Sequence, residues 1–115
     1  MAGRTPQQAF DNYIDPMREA LGCVTQHRLT LTERARLALN ITYTVALNDM
    51  DPVPLRGEVP LHLTAGQYIR LIETADPEDE RGPIKVSTVR YFYVLATETN
   101  EEILSFHWTS GAAFE

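Results

Sequence analysis

The sequence has few cysteine and lysine residues. Cys23 is the single cysteine among 115 residues, so an internal disulfide is excluded. Lys85 is the single lysine, and the formal net charge is -6. Nonspecific binding to nucleic acid or to anionic membranes depends on an excess of basic residues. We therefore expect neither of these partners.

Long hydrophobic runs are missing as well. No apolar run approaches the roughly 20 residues that a membrane-spanning helix needs, and the chain does not open on a charged-then-apolar leader. Together with the lone cysteine, these features predict a cytoplasmic protein with no membrane partner. The hydrophobic content of 43% predicts a single small domain over residues 1–115.

The sequence lacks the common catalytic and metal-binding motifs. It contains no Gly-x-Ser-x-Gly elbow and no glycine-rich phosphate loop. His27, His62 and His107 have no second histidine, cysteine or carboxylate at metal-ligand spacing. We therefore expect no cofactor and no metal site, and the sequence favours binding over catalysis.

Two apolar, β-rich runs separated by a polar turn stand out near the end of the chain. They cover residues 84–95 and 103–109, and the turn is centred on Thr99-Asn100. This pattern is typical of a β-hairpin. With the two turn residues as the loop, alternation places six large side chains on one face. The opposed pairs are Tyr91–Trp108, Tyr93–Phe106 and Leu95–Leu104.

Two helices are predicted. The first spans Pro6–Leu21, where Thr5 is a good N-cap and Pro16 is expected to kink or split the helix at Asp15. The second spans Ala65–Ala75 and begins with a Thr64 and Gln67 capping box. Its predicted buried stripe consists of Tyr68, Leu71, Ile72 and Ala75.

Strands are predicted between and after these helices. Residues 36–47 alternate between apolar and polar, which indicates a strand from Leu39 onward, although residues 33–39 also suit one or two helical turns. Residues 23–31 are a weaker strand candidate, and residues 53–55 suit a short edge strand. The sequence thus predicts an α+β fold, with a mostly antiparallel sheet of three to five strands and two helices packed on one face. The predicted sheet core consists of Leu39, Ile41, Tyr43, Val45, Tyr91, Tyr93, Leu104, Phe106 and Trp108.

The second face of the predicted hairpin is the candidate binding site. It carries Arg90, Phe92 and His107, with His107 opposite Phe92. Asn40 and Thr42 join them if the strand from Leu39 lies beside the hairpin. Such a face offers hydrogen-bond donors over an aromatic floor and suits an anionic small ligand or a peptide. The alternative is a solvated polar face, which is common in antiparallel sheets.

The hairpin also resembles a known family. Arg90-Tyr91-Phe92-Tyr93-Val94-Leu95 and Glu102-Ile103-Leu104-Ser105-Phe106-His107-Trp108 look like the closing hairpin of small TumE-like toxin–antitoxin proteins, in which an aromatic strand and a turn precede an apolar strand. The resemblance covers residues 90–108, about a sixth of the chain. That family carries a His-rich segment after the hairpin, whereas this chain continues with residues 110–115, which contain no histidine. An activity that depends on those histidines is therefore not expected here.

The sequence predicts a small non-enzymatic binding or regulatory protein, of the phage- or defence-associated kind, that acts by protein–protein contact or self-association. Acidic loops, apolar strands and the lack of a catalytic constellation favour this function. Two alternatives stay open. One is a small hydrolase or toxin-type ribonuclease that uses His107 and Arg90. The other is a protein that binds a nucleotide or another small ligand.

Overall fold

A computed structural model of the chain describes residues 2–33, 36–73 and 83–110. Its elements are β1 Ala2–Gly3, α1 Pro6–Leu21, β2 Leu29–Leu31, β3 Thr42–Leu47, β4 Val53–Pro54, β5 Leu61–Glu73, β6 Ile84–Thr97 and β7 Glu102–Thr109. The strands form one sheet in the order β1-β6-β5-β3-β2, with β4 paired to β5 and β7 paired to β6. All the pairings are antiparallel. The acidic segment at residues 76–83, which the sequence predicts to be an exposed loop, lies outside the described residues except for Pro83.

The predicted fold class is wrong in two respects. The described residues contain one α-helix rather than two, and the sheet has seven strands rather than three to five. The segment predicted as the second helix, Ala65–Ala75, lies in strand β5 as far as Glu73, where the described range ends. In place of the predicted α+β fold with two helices, the described residues form an antiparallel sheet with one α-helix packed against it.

Strand β5 forms because its side chains alternate between two faces. The buried set on the helix side, each at most 4% exposed, is Ala65, Gln67, Ile69 and Leu71. Tyr68 and Ile72 lie on the opposite face, so the spacing that predicted a helical stripe combined residues from both faces. A small alanine and a polar glutamine within the buried set hide the two-residue period from a sequence-based search.

Two side chains pack closely against the backbone of Gly66, in the space that a larger residue would need. A Cβ atom at this position would clash with the Met50 side chain and would lie 3.0 Å from Cζ of Phe92. Met50 reaches the site from a short turn, Asn48–Met50, whose residues have φ values of 51°, 52° and 71°. Asn and Asp adopt left-handed backbone more readily than other residues, so Met50 is the residue of this turn for which the conformation is unusual.

The predicted first helix is confirmed. Helix α1 spans Pro6–Leu21, and Oγ1 of Thr5 accepts a hydrogen bond from the Gln8 backbone N–H at 3.1 Å. Pro16 lies within the helix and does not divide it. Of the kink or split expected at Asp15, the split is therefore wrong and the kink stays a prediction.

Strands β2 and β3 are shorter than predicted. Strand β3 begins at Thr42, because Asn40 has a left-handed φ of 61° and its N–H donates to the Leu71 carbonyl at 2.8 Å. Residues 36–39 form no helical turn, and the candidate strand at residues 23–31 is reduced to Leu29–Leu31. The short edge strand is confirmed as β4, which pairs with β5.

The predicted hairpin register is confirmed. The cross-strand partners in β6 and β7 are Tyr91–Trp108, Phe92–His107, Tyr93–Phe106 and Leu95–Leu104. The loop is longer than two residues, because the Thr97 N–H donates to the Glu101 carbonyl and Asn100 adopts a φ of 65°. The register then shifts so that Ala96 pairs with Glu102 and Ile103 becomes the extra residue of a bulge.

The core lies between α1 and one half of the sheet. Phe10 and Ile14 of α1 belong to the same buried cluster as Val45, Ile69 and Leu71. Among the predicted sheet-core residues, Tyr43 and Val45 are confirmed as buried. Tyr91, Tyr93 and Leu39 are only half-buried.

Four predicted core residues are exposed, so the prediction is wrong for them. They are Ile41 at 49%, Leu104 at 49%, Phe106 at 55% and Trp108 at 43% exposure. The cause for the hairpin residues is a difference in length. The 16 residues of α1 extend about 24 Å. The 14 residues of β6 extend about 46 Å. One helix therefore covers only about half of the long strands.

Candidate functional site

The three hairpin residues of the predicted site lie on the sheet face opposite α1. The Phe92 and His107 rings stack, with their centroids 6.3 Å apart and an interplanar angle of 18°. The guanidinium of Arg90 lies over the ring of Tyr68, 5.7 Å from its centroid. This arrangement provides aromatic surfaces with one cation among them.

Of the two site residues predicted from the strand that begins at Leu39, only Thr42 lies near Arg90. Strand β5 separates β3 from β6, so Thr42 and Asn40 do not lie beside the hairpin. Thr42 nevertheless shares a shallow hollow of about 250 Å³ with Tyr68, Val89 and Arg90. Asn40 lies outside β3, where its backbone pairs with β5.

An arginine that the sequence did not single out completes the second face. Nη2 of Arg70 donates to Oγ1 of Thr42 at 3.1 Å. Nε of Arg70 is buried and has no hydrogen-bond partner among the described residues. Within the same residues, no group of three or more His, Cys, Asp or Glu side chains could hold a metal ion. The chemistry available on this face is therefore cationic and aromatic.

A larger hollow, of about 530 Å³, lies on the helix side of the sheet. We call it the aromatic hollow. Five rings, those of Tyr13, Tyr91, Tyr93, Phe106 and Trp108, line it, and Gln67 and Thr88 supply its polar groups. Its volume is within the range of ordinary ligand pockets.

The polar groups of the aromatic hollow form a connected network around Gln67, which is 4% exposed. The Tyr13 hydroxyl donates to Oε1 of Gln67 at 2.5 Å, and Nε2 of Gln67 donates to the Tyr93 hydroxyl at 2.6 Å. Nε2 also lies 3.4 Å from Sδ of Met17. Because a thioether sulfur can only accept, this contact fixes which end of the amide carries the nitrogen.

Tyr13 has one further partner in this network. Its hydroxyl lies 3.0 Å from Oγ1 of Thr88. Since the single Tyr13 hydrogen goes to Gln67, Thr88 must be the donor in this bond. Burial raises the pKa of Tyr13 above its ordinary value, the Thr88 hydrogen bond opposes that effect, and Tyr93 adds to it. The phenol is thus held in its neutral form.

The walls of the hollow follow from the hairpin register. The Tyr91 and Trp108 rings stack at 5.8 Å and 14°, and the Tyr91 and Tyr93 rings are tilted at 5.5 Å and 50°. The sequence predicted these neighbours but placed them in the core. It did not connect them with Tyr13 and Gln67, because Gln67 was assigned to a helix cap. A strand pattern with one buried glutamine was the available signal.

The outer edge of β7 is a second uncovered feature. Strand β7 pairs with β6 and with no other described strand. The Ser110 N–H donates to the Val89 carbonyl at 2.9 Å, which makes this a hydrogen-bonded pair. Alternation along the constant register then makes Tyr93–Phe106 a hydrogen-bonded pair as well. The backbone groups of Ser105, His107 and Thr109 consequently point away from β6.

No family model, curated protein or solved structure matches the chain. The resemblance to TumE-like proteins therefore stays a prediction. Among the described residues, no helix is long and apolar enough to span a membrane.

Proposed function

We propose that the chain is a small non-enzymatic binding protein that acts through protein–protein contact, with strand β7 as its contact element. The observation that carries this proposal is the free edge of β7 beside exposed Leu104, Phe106 and Trp108. An exposed apolar edge strand is a template for another strand, and proteins that remain monomeric usually protect such an edge with Lys or Pro. Residues 103–109 contain neither.

A second copy of this chain is the simplest partner. An antiparallel pair with Phe106 opposite Phe106 of the second copy places Leu104 opposite Trp108 and Ser105 opposite His107. The outward backbone groups of Ser105 and His107 then bond to one another across the pair. Aromatic and apolar cross-strand pairs add to the stability of such a ladder. The strand is therefore self-complementary in both its side chains and its backbone.

Charge sets the conditions for this contact. Each copy carries a net charge of -6, so two copies repel each other over long distances. Moderate salt screens that repulsion and leaves the apolar contact intact. Self-association is accordingly expected to strengthen as salt is added.

The test uses the direction of the Ser105 N–H. In Ser105→Pro this outward donor is lost and the new ring occupies the free edge, whereas the bonds between β6 and β7 are retained. Sedimentation velocity across the micromolar range should show a reversible dimer for the parent chain and a monomer for Ser105→Pro, with nearly equal melting temperatures.

Phe106→Pro is the matched control. Its N–H points toward Tyr93, so this variant should lose a β6–β7 hydrogen bond and melt at a lower temperature. A parent chain that is strictly monomeric and captures no protein partner at moderate salt would contradict the proposal. So would a dimer that Ser105→Pro leaves unchanged.

The second face supports one alternative function more than the other. Arg70, with an unpartnered buried Nε, and Arg90 favour an anionic small ligand such as a nucleotide. The hydrolase alternative depends on His107, whose described ring contact is a stack on Phe92 and not a proton-transfer partner. Catalysis by His107 stays a prediction. It requires that the parent chain show a measurable turnover and that His107→Ala lose it.

A further inference from the structure

We infer that the aromatic hollow is a binding site for a proline-rich peptide segment in the polyproline II conformation. The inference concerns the helix side of the sheet, inward of the β7 edge, and it does not depend on strand addition at β7. It rests on three properties of the hollow: its rings, its lack of charge and the direction of its hydrogen-bond donors.

The rings provide flat apolar surfaces on two sides of the hollow, from the hairpin and from α1. Tyr91 and Trp108 stack on one another, so no ligand ring fits between them at 5.8 Å. A ligand must instead lie on the faces and edges that these rings present to the hollow, opposite Tyr13 of α1. Pyrrolidine rings pack on aromatic surfaces of this kind in known recognition of proline-rich segments.

The lining is neutral. None of the residues that line the hollow carries a formal charge at neutral pH, and the raised pKa of Tyr13 keeps its phenol protonated. A charged ligand would lose hydration without gaining an ionic partner. The occupant is therefore expected to be uncharged where it touches the hollow, as a run of prolines is.

The hydrogen-bond donors that are left unpaired in the hollow indicate which polar groups a ligand should carry. Gln67 donates to the Tyr93 oxygen, so the Tyr93 hydrogen is left to point elsewhere, and no described residue accepts it. The indole N–H of Trp108 likewise has no described acceptor. These unpaired donors suit a ligand that is rich in acceptors. A polyproline II segment offers backbone carbonyls and, at proline, no competing N–H.

Trp108 is the only tryptophan in the chain, so its fluorescence reports directly on the hollow. We expect a decaproline peptide to shift this emission saturably and a Gly-Ser peptide of equal length to leave it unchanged. The indole N–H proton resonance of Trp108 should move on the same titration curve. Tetramethylammonium chloride, titrated in parallel, tests the rings as a cation cage.

The variants are matched for exposure. Phe106 and Ile103 are each 55% exposed on the same strand, but Phe106 lines the hollow and Ile103 does not. Phe106→Ser should weaken decaproline binding by about tenfold or more, a loss of about 1.4 kcal/mol. Ile103→Ser should leave binding unchanged. Tyr93→Phe keeps the ring but removes the free hydrogen together with the oxygen that accepts from Gln67, and it should also weaken binding.

Four results would overturn the inference. The first is the absence of a saturable change with decaproline. The second is equal weakening by Phe106→Ser and Ile103→Ser. The third is saturation by tetramethylammonium alone. Ser105→Pro separates this site from the β7 edge, because it should retain decaproline binding even where it abolishes self-association. The fourth result is loss of peptide binding in Ser105→Pro, which would place the binding site at the β7 edge instead.

Discussion

Replacement of Gln67 by leucine tests the network beneath the aromatic hollow. Leucine is similar in size and fits the strand, but it removes both the acceptor for Tyr13 and the donor to Tyr93. The two lost hydrogen bonds are 2.5 and 2.6 Å long. Each such bond contributes about 0.5–1.5 kcal/mol net to stability.

The groups around Gln67 reduce the loss of stability that follows its replacement. Thr88 lies 3.0 Å from the Tyr13 hydroxyl and can accept its hydrogen once Gln67 is gone. The hydroxyl of half-buried Tyr93 can turn to water. The full penalty for a buried unpaired phenol is thereby avoided, and the apolar leucine recovers some burial energy. The expected decrease in the free energy of unfolding is about 1–2 kcal/mol.

Urea denaturation followed by circular dichroism measures this change. Gln26→Leu, an exposed glutamine outside the network, is the matched control and should stay within about 0.5 kcal/mol of the parent. A double-mutant cycle with Tyr13→Phe should show coupling of about 0.5–1 kcal/mol, because each change removes the same Tyr13–Gln67 hydrogen bond. A neutral or stabilising Gln67→Leu, or strict additivity with Tyr13→Phe, would refute the network.

Two further predictions concern other parts of the sheet. Glu33 is partly buried, which acts to raise its pKa, but N–H and hydroxyl donors that include Thr44 lower the net pKa. The stabilising contribution of the Glu33 carboxylate is therefore present above its ordinary pKa of 4.5, and it is lost as the pH falls through the lower pKa of the folded state. The stability of Glu33→Gln, measured by acid unfolding, should therefore depend less on pH below 4.5 than that of the parent. On the second face, inorganic phosphate or a nucleotide should raise the melting temperature of the parent but not of Arg90→Ala. Ligand at 100 times its Kd adds about 2.7 kcal/mol to stability, and equal shifts in the two proteins would rule out an anion site at Arg90.

The accuracy of the sequence-based predictions depended on how local each signal was. The hairpin register followed from one strand pair and its turn, where period-two alternation and a single connection leave few options. The first helix likewise followed from its own cap and stripe. Strand β5 is different, because what decides its structure is pairing with β3 on one side and β6 on the other. The local alternation within residues 61–73 is weakened by Ala65 and Gln67, so it did not outweigh the helix cap predicted at Thr64 and Gln67.

The candidate sites show the same limit. Phe92 and His107 are cross-strand neighbours, so the register alone placed them together. Arg70 and Gln67 were missed because both lie on β5, the strand that the sequence-based reading took for a helix. Gln67 is a buried polar group, and its burial makes sense only once Tyr13 and Tyr93 are known to converge on it.

The wrong helix and the exposed aromatic face have one physical cause. A second helix over the sheet would have covered the half of β6 and β7 that α1 does not reach. Because residues 61–73 are instead the strand to which β6 is paired, no described element covers Leu104, Phe106 and Trp108. Large apolar side chains exposed on a free edge mark a contact surface. The same residues that were expected to fill the core are therefore the strongest support for the proposed binding function.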